Sequence, residues 1–446
     1  LVFGRKPWRS NCMSYLVKLK NIIQRFFTSP FFGFVKGHSD LTKKNIEEIE
    51  SYIENEDQEI VRLFEREFSK KLGDGMSVSF ASGRMGFYSL MLSLDIKGGD
   101  EVVIPGYTCS VMPNAIFRIG ATPVYADINI ENLGTYSKSV EGLITDNTRM
   151  VVAQHSFGIP CDIIELQTLC KERGIFLLED CALTLGSKVN GTLVGNFGDA
   201  SLFSFDHSKP INAMTGGIIY SRNNRIISSL QRIQQASQNL SINDKHSIFN
   251  DFVHERKFCN PEDYGKKDLV HMIKSILFKA DQYLDEDYER TPSSSYPYPS
   301  RMPTFIAKLG LNELFKWEEE ELKRKRMLKD FILFFTENGM KDNLPEAYFD
   351  LTLEIVPIRL IILHKQAKEI RELANSFLKT NWFWFTSPIS ECANPEDMGY
   401  VYGSCKQSEK ACREIINLPC VHDEKYNMIL FERTLSTIKK LKGESS

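Results

Sequence analysis

Between residues 179 and 217 the chain carries side chains whose types and spacing suit chemistry on an aldehyde. Lys209 stands five residues after Ser204 and just ahead of Gly216 and Gly217, in "SFDHSKPINAMTGG". Asp180 closes the apolar run "IFLLED". A lysine amine adds to a carbonyl when its pocket keeps a fraction of it neutral. A carboxylate at a buried strand end caps a helix or pairs with a cation. Upstream, "FASGRMGFYSL" puts Ser82, Gly83, Arg84 and Met85 where an apolar run turns into a helical one. Backbone N–H groups at such a turn bind phosphate, a neighbouring arginine can clamp it, and the Ser204 hydroxyl could face it too. Each feature alone has an ordinary reading: a solvated loop lysine, a helix cap, a common S-G-x loop.

Together they match one cofactor. Pyridoxal phosphate needs a lysine for its aldehyde, a carboxylate to keep its pyridine nitrogen protonated, and donors for its phosphate.

The elements that must hold these residues alternate along the chain. Strand candidates fall at 77–81, 101–105, 122–128, 149–155, 175–181, 201–205 and 216–221, with helical candidates at 84–95, 108–119 and 162–173. Residues 40–73 read as one or two helices, 312–335 as one long helix and 351–363 as a strand. Continuous apolar strands alternating with helices predict an α/β fold with a mostly parallel sheet covered on both faces. Such sheets bind ligands at the carboxyl ends of their strands, where every residue named above lies.

Composition narrows the class. A net charge of −3 over 446 residues selects neither nucleic acid nor an anionic membrane as partner. The ten cysteines form no C-x-x-C pair, which points to free thiols in a reducing, cytoplasmic setting and to no zinc site. No apolar run of about 18 residues is present. Met13 reads as the natural start. Leu16–Phe27 reads as a basic amphipathic helix that packs on the protein or a partner chain, with membrane-surface contact as the alternative.

The chain resembles the DegT/DnrJ/StrS family, the sugar aminotransferases of the fold-type-I pyridoxal-phosphate enzymes. The resemblance rests on residues 99–133, 144–163, 174–187 and 197–221, and on "INLPCVHD" near the end. It implies a large, mostly parallel sheet domain and a smaller α+β C-terminal domain. The division expected is an N-terminal tail at 1–39, the cofactor-binding domain at 40–225, a helical insertion at 226–300 and the small domain at 301–446. The resemblance makes Lys209 the catalytic lysine that carries the cofactor and later moves the proton. It gives Asp180 the pyridinium nitrogen, and Ser204 with the Gly83–Arg84–Met85 turn the phosphate. His155, Gly158 and Asp162 match a family run that also serves loop geometry. It further implies a nucleotide-sugar substrate, an amino-acid donor (glutamate) and a homodimer in which Arg301 reaches the partner's site.

Departures are equally visible. Leu183 replaces a glutamine or histidine that contacts the ring, Cys109 replaces an aromatic that stacks on it, and Arg84 replaces a threonine. A degenerate scaffold or sugar-binding protein is therefore the alternative to an aminotransferase. The family's dehydratase branch, with histidine for lysine, is opposed by Lys209, although His207 stands close by.

Overall fold

Seven apolar runs assemble into one sheet whose strand ends create the site. In chain order they are β1 (Met76–Phe80), β2 (Glu101–Pro105), β3 (Thr122–Ala126), β4 (Thr148–Gln154), β5 (Phe176–Asp180), β6 (Ala200–Ser204) and β7 (Gly217–Ser221). Their order across the sheet is β1-β7-β6-β5-β4-β2-β3. The pairs β6–β5, β5–β4, β4–β2 and β2–β3 are parallel, and only β7 runs antiparallel, to β1 and β6. The carboxyl ends of six strands and the amino end of β7 thus share one edge. This computed structural model describes residues 22–34, 41–267, 269–270, 273, 294–380, 383–420, 423–441 and 443. Most of the N-terminal segment, the insertion at 274–293 and Val421–His422 of the last motif lie outside them.

Strand interiors such as Val102–Ile104 and Met150–Ala153 are fully buried, because helices cover both faces of the sheet. The helices are α1 (Gln58–Leu72), α2 (Gly83–Ser93), α3 (Val111–Arg118), α4 (Ile163–Arg173), α5 (Asn224–Ala236), α6 (Ile242–Lys257), α7 (Thr304–Phe315) and α8 (Trp317–Glu337). Local chemistry sets their limits. Ser82 caps α2 through the Met85 N–H, and Gly174 closes α4 in the left-handed region at φ 64°.

Three predicted elements end differently. The helix expected at 312–335 is two helices meeting at Lys316, where buried Trp317 and the acidic first turn of Glu318–Glu320 start α8. The strand expected at 351–363 splits in two: Leu353–Glu354 pairs antiparallel with Lys188–Val189, and β8 (Arg359–Leu363) begins after Pro357, which has no N–H for a ladder. The helix expected at 108–119 starts only at Val111, since Thr108–Cys109 pairs in parallel with Ile389–Ser390.

The charged run of α8 is also less solvated than its pattern implies. Glu320 and Arg324 pair at 2.8 Å with both side chains buried, and Arg324 Nη1 donates to the Pro357 carbonyl. The flanking pairs, Glu319–Lys323 and Glu321–Lys325, follow the expected four-residue spacing.

A second core joins α8 to β8, β9 (Ile415–Pro419) and the helices α9 (Ala367–Ala374), α10 (Lys406–Glu414) and α11 (Glu424–Leu441). Tyr107, Phe157 and Leu183 of the sheet domain enter this core, so it seals directly onto the functional edge. Helix α7 packs into the first core with Phe64 and Phe68. The nine described cysteines are all free, six of them buried.

Gly217 shows how tightly the edge is built. A Cβ there would lie 2.3 Å from the Cα of Gly83, a backbone atom that cannot turn aside. Gly217→Ala is expected to cost about 1–3 kcal/mol of stability, the scale of core overpacking. Unchanged thermal unfolding would show that the two segments separate freely.

Candidate active site

The N-terminal end of α2 and the carboxyl end of β6 form a cradle. A Cβ on Gly83 would sit 3.3 Å from Ser204 Cβ and 3.4 Å from its hydroxyl, so glycine lets the two approach without crowding. First-turn N–H groups lie outside the helical ladder and point at an anion. The cradle therefore presents a helix end and a hydroxyl together, as a phosphate requires. Met85 contributes structure: its N–H meets Ser82, and its sulfur accepts from the Ser300 N–H at 3.3 Å. Arg84 donates to the Tyr296 hydroxyl at 3.0 Å, which ties the segment before Arg301 to the cradle.

Asp180 ends β5 almost fully buried and accepts the Ala182 N–H at 2.9 Å. Burial raises its carboxyl above the ordinary carboxylate range, while that N–H and the charge of Lys209 pull the other way. A buried carboxylate of this kind is stabilised by a cationic donor such as a protonated ring nitrogen. Lys209 follows β6 and projects its amine to 4.3 Å from the Trp384 ring centroid. Beside it Ser208 holds φ at 59°, and its buried hydroxyl has no hydrogen-bond partner among the described residues. Phosphate cradle, buried acid, lysine and orphaned hydroxyl at one sheet edge fit pyridoxal phosphate.

His155 has a different environment. The Cys161 N–H donates to Nδ1 at 3.1 Å, so Nε2 carries the proton and faces Glu179 at 3.2 Å. Glu179 also accepts the N–H groups of Gly195, Phe197 and Gly198, which pins that loop under β5. His155, Glu179 and Cys181 lie close enough to hold a metal ion, but the Glu179 oxygens are already engaged by these donors. Asp162 accepts from Asn129 and Asn132, and Gly158 lies against the Val356 carbonyl, where a Cβ would come within 2.1 Å. All three residues of that run thus have protein partners.

The two substituted positions are clear in the structure. Leu183 is buried in the second core and offers no polar atom. Cys109 donates to Glu391 at 3.0 Å; burial, then the Glu391 charge, pushes its thiol well above the ordinary range and keeps it protonated.

Sequence reasoning missed the contribution of the second core. Arg359 of β8 is buried, donates to Asn417 at 2.8 Å, and lies 3.5 Å from the Trp384 ring centroid. The Trp384 ring thus lies against both Arg359 and Lys209. The signals were a lone arginine in the apolar run "VPIRLII" and the aromatic cluster "NWFWF".

This is the fold of pyridoxal-phosphate-dependent aminotransferases. Over 92% of its length the chain matches all of Helicobacter pylori PseC, an aminotransferase involved in the biosynthesis of pseudoaminic acid, with a TM-score of 0.69 and 19% identity. It matches the aminotransferase TlmJ from Streptoalloteichus hindustanus over the same share, with a TM-score of 0.68 and 20% identity. Residues 40–256 match the DegT/DnrJ/EryC1/StrS aminotransferase family. Among curated relatives, GDP-perosamine synthase of Vibrio cholerae is 39% identical over 171 residues, 38% of this chain and 47% of that protein. The dTDP-4-dehydro-2,3,6-trideoxy-D-glucose 4-aminotransferase of Saccharopolyspora spinosa is 34% identical over 174 residues, 39% and 45% of the two chains. The match thus spans about half the length of these relatives.

Proposed function

We propose that the chain is a pyridoxal-phosphate-dependent aminotransferase that moves an amino group from glutamate to a keto group of a nucleotide-linked sugar. The observation that carries this reading is Lys209 and Asp180 at one sheet edge with the Gly83–Ser204 cradle. The names of relatives acting on GDP- and dTDP-linked sugars support the substrate class.

Gly83 and Ser204 would hold the cofactor phosphate, and Asp180 would face the ring nitrogen. Bound there, pyridoxal phosphate supplies the electron sink that lets an amino group leave one carbon and join another. The Lys209 amine would hold the cofactor through its aldehyde and would be freed when the donor is bound. Its Nζ would then serve as the base and acid that moves the proton at the donor carbon and, in the opposite sense, at the sugar carbon. The Trp384 ring would help fix the direction of that amine.

We also place the enzyme in the cytoplasm as a homodimer, with Arg301 near the partner's cradle. No described helix is long and apolar enough to cross a membrane.

Leu183 and Cys109, which lack the usual ring contacts, favour a second reading, a scaffold without turnover. One preparation separates the two. With added cofactor, the purified chain should scatter light as a dimer and show a visible absorbance band that glutamate bleaches and a keto-sugar nucleotide restores. A chain that takes up no cofactor, or a band that glutamate leaves unchanged, sinks the aminotransferase reading.

A further inference from the structure

The described N-terminal residues lie outside the family-matched region 40–256, yet they end at the Lys209 cavity. Phe31 and Phe32 are 1% exposed and Phe34 6%. The segment is held both by its rings, with Phe32 and Phe34 in the second core and Phe31 against Tyr264, and by its backbone. Phe31 N–H donates to the Pro261 carbonyl at 2.8 Å and Phe32 N–H to Phe377 at 2.8 Å, while the Phe32 carbonyl accepts from Lys379 at 2.9 Å. Arg433 holds the Pro30 carbonyl at 2.9 Å.

Gly33 and Phe34 then line the same cavity as Ser208, Lys209 and Arg359. The Phe34 ring lies 4.1 Å from the Arg359 guanidinium, opposite a T-shaped contact with Phe383 at 5.8 Å. Gly33 is the point of closest approach. A Cβ there would fall 1.9 Å from a ring carbon of Tyr264, so any side chain must lift the segment or displace that ring.

We propose that Pro30–Phe34 is a strap closing the Lys209 pocket on the side of the C-terminal half, with Phe34 deciding what reaches the lysine from there. The claim goes beyond the aminotransferase reading, because it concerns access to the amine whatever reaction follows. A terminal segment of this kind can open locally at a lower free energy than the whole chain unfolds, at the cost of exposing Phe32 and Phe34. Lifting the strap withdraws Phe32 and Phe34 from the second core and leaves the sheet core intact.

The test uses the full chain without cofactor. Lysines are reductively methylated with formaldehyde and cyanoborohydride, and Lys209 labelling is compared by peptide mass with that of exposed Lys171. Phe34→Ala should speed Lys209 labelling by about tenfold relative to Lys171, and Phe34→Leu, which refills the space, should leave it near wild type. Gly33→Ala should act like Phe34→Ala while retaining the ring. In the wild-type chain, amide exchange of the 30–34 peptide should report the same opening free energy as Lys209 labelling. Wild-type Lys209 labelled as fast as Lys171, or a rate that neither Phe34→Ala nor Gly33→Ala changes, overturns the strap. Because no turnover is read, that result leaves the aminotransferase reading untouched.

Discussion

Lys209→Ala should yield a folded chain that binds the cofactor loosely, carries no covalent label and turns over about 10⁴-fold more slowly, the upper range for a positioned acid–base group. The fold should survive because Lys209 is only half-buried and its amine rests over the face of Trp384. Cofactor binding should persist in part, since the cradle of Gly83 and Ser204 does not involve the lysine. Three alternative lysines hold carboxylates instead: Lys188 pairs with Glu354, Lys266 with Asp263 and Lys267 with Glu255. Borohydride reduction and peptide mapping should place the pyridoxyl group on Lys209 in the wild type. A label on any other lysine overturns the mechanism.

The sheet was legible because its strands are buried on both faces, and a two-face apolar run reads the same way wherever it sits. Every main strand starts and ends within two residues of its predicted position. Errors appeared where a tertiary partner overrode local pattern. Thr108–Cys109 left the predicted helix to pair with a segment about 280 residues away, and Lys316 broke a continuous helical pattern to bury Trp317. Neither partner is visible to a window of neighbouring residues.

The site divides along the same line. Lys209, Asp180, Ser204 and Gly83 lie at strand ends of one sheet, so their convergence follows from topology alone. Trp384, Arg359 and Phe34 arrive from the second core and from the N-terminal segment, and only the packing of the two cores brings them to Lys209. Arg84 sits beside this set: its type suggested a phosphate clamp, and its guanidinium at the cradle also donates to the Tyr296 hydroxyl.

Asp180→Asn should separate the cost of a buried acid from its use. Burial raises the Asp180 carboxyl above its ordinary 3.8, so the folded chain binds this proton more tightly than the unfolded chain does. Stability then falls as pH rises from about the ordinary value through the raised one, and it stays lower above. Asparagine removes that penalty and can still accept the Ala182 N–H. Without cofactor, Asp180→Asn should therefore melt higher than wild type at neutral pH, with the advantage fading as pH falls below the ordinary carboxylate value. With cofactor the order should reverse. Losing a charge-assisted hydrogen bond of about 1.5–3 kcal/mol weakens cofactor binding roughly ten- to hundred-fold, so the ligand raises the melting temperature less. Turnover should drop about 10²–10³-fold, the scale for one preorganised electrostatic partner. Thermal melts of both proteins with and without pyridoxal phosphate read all of this except turnover. An equal cofactor-induced rise in the two proteins would remove Asp180 from the cofactor's ring nitrogen.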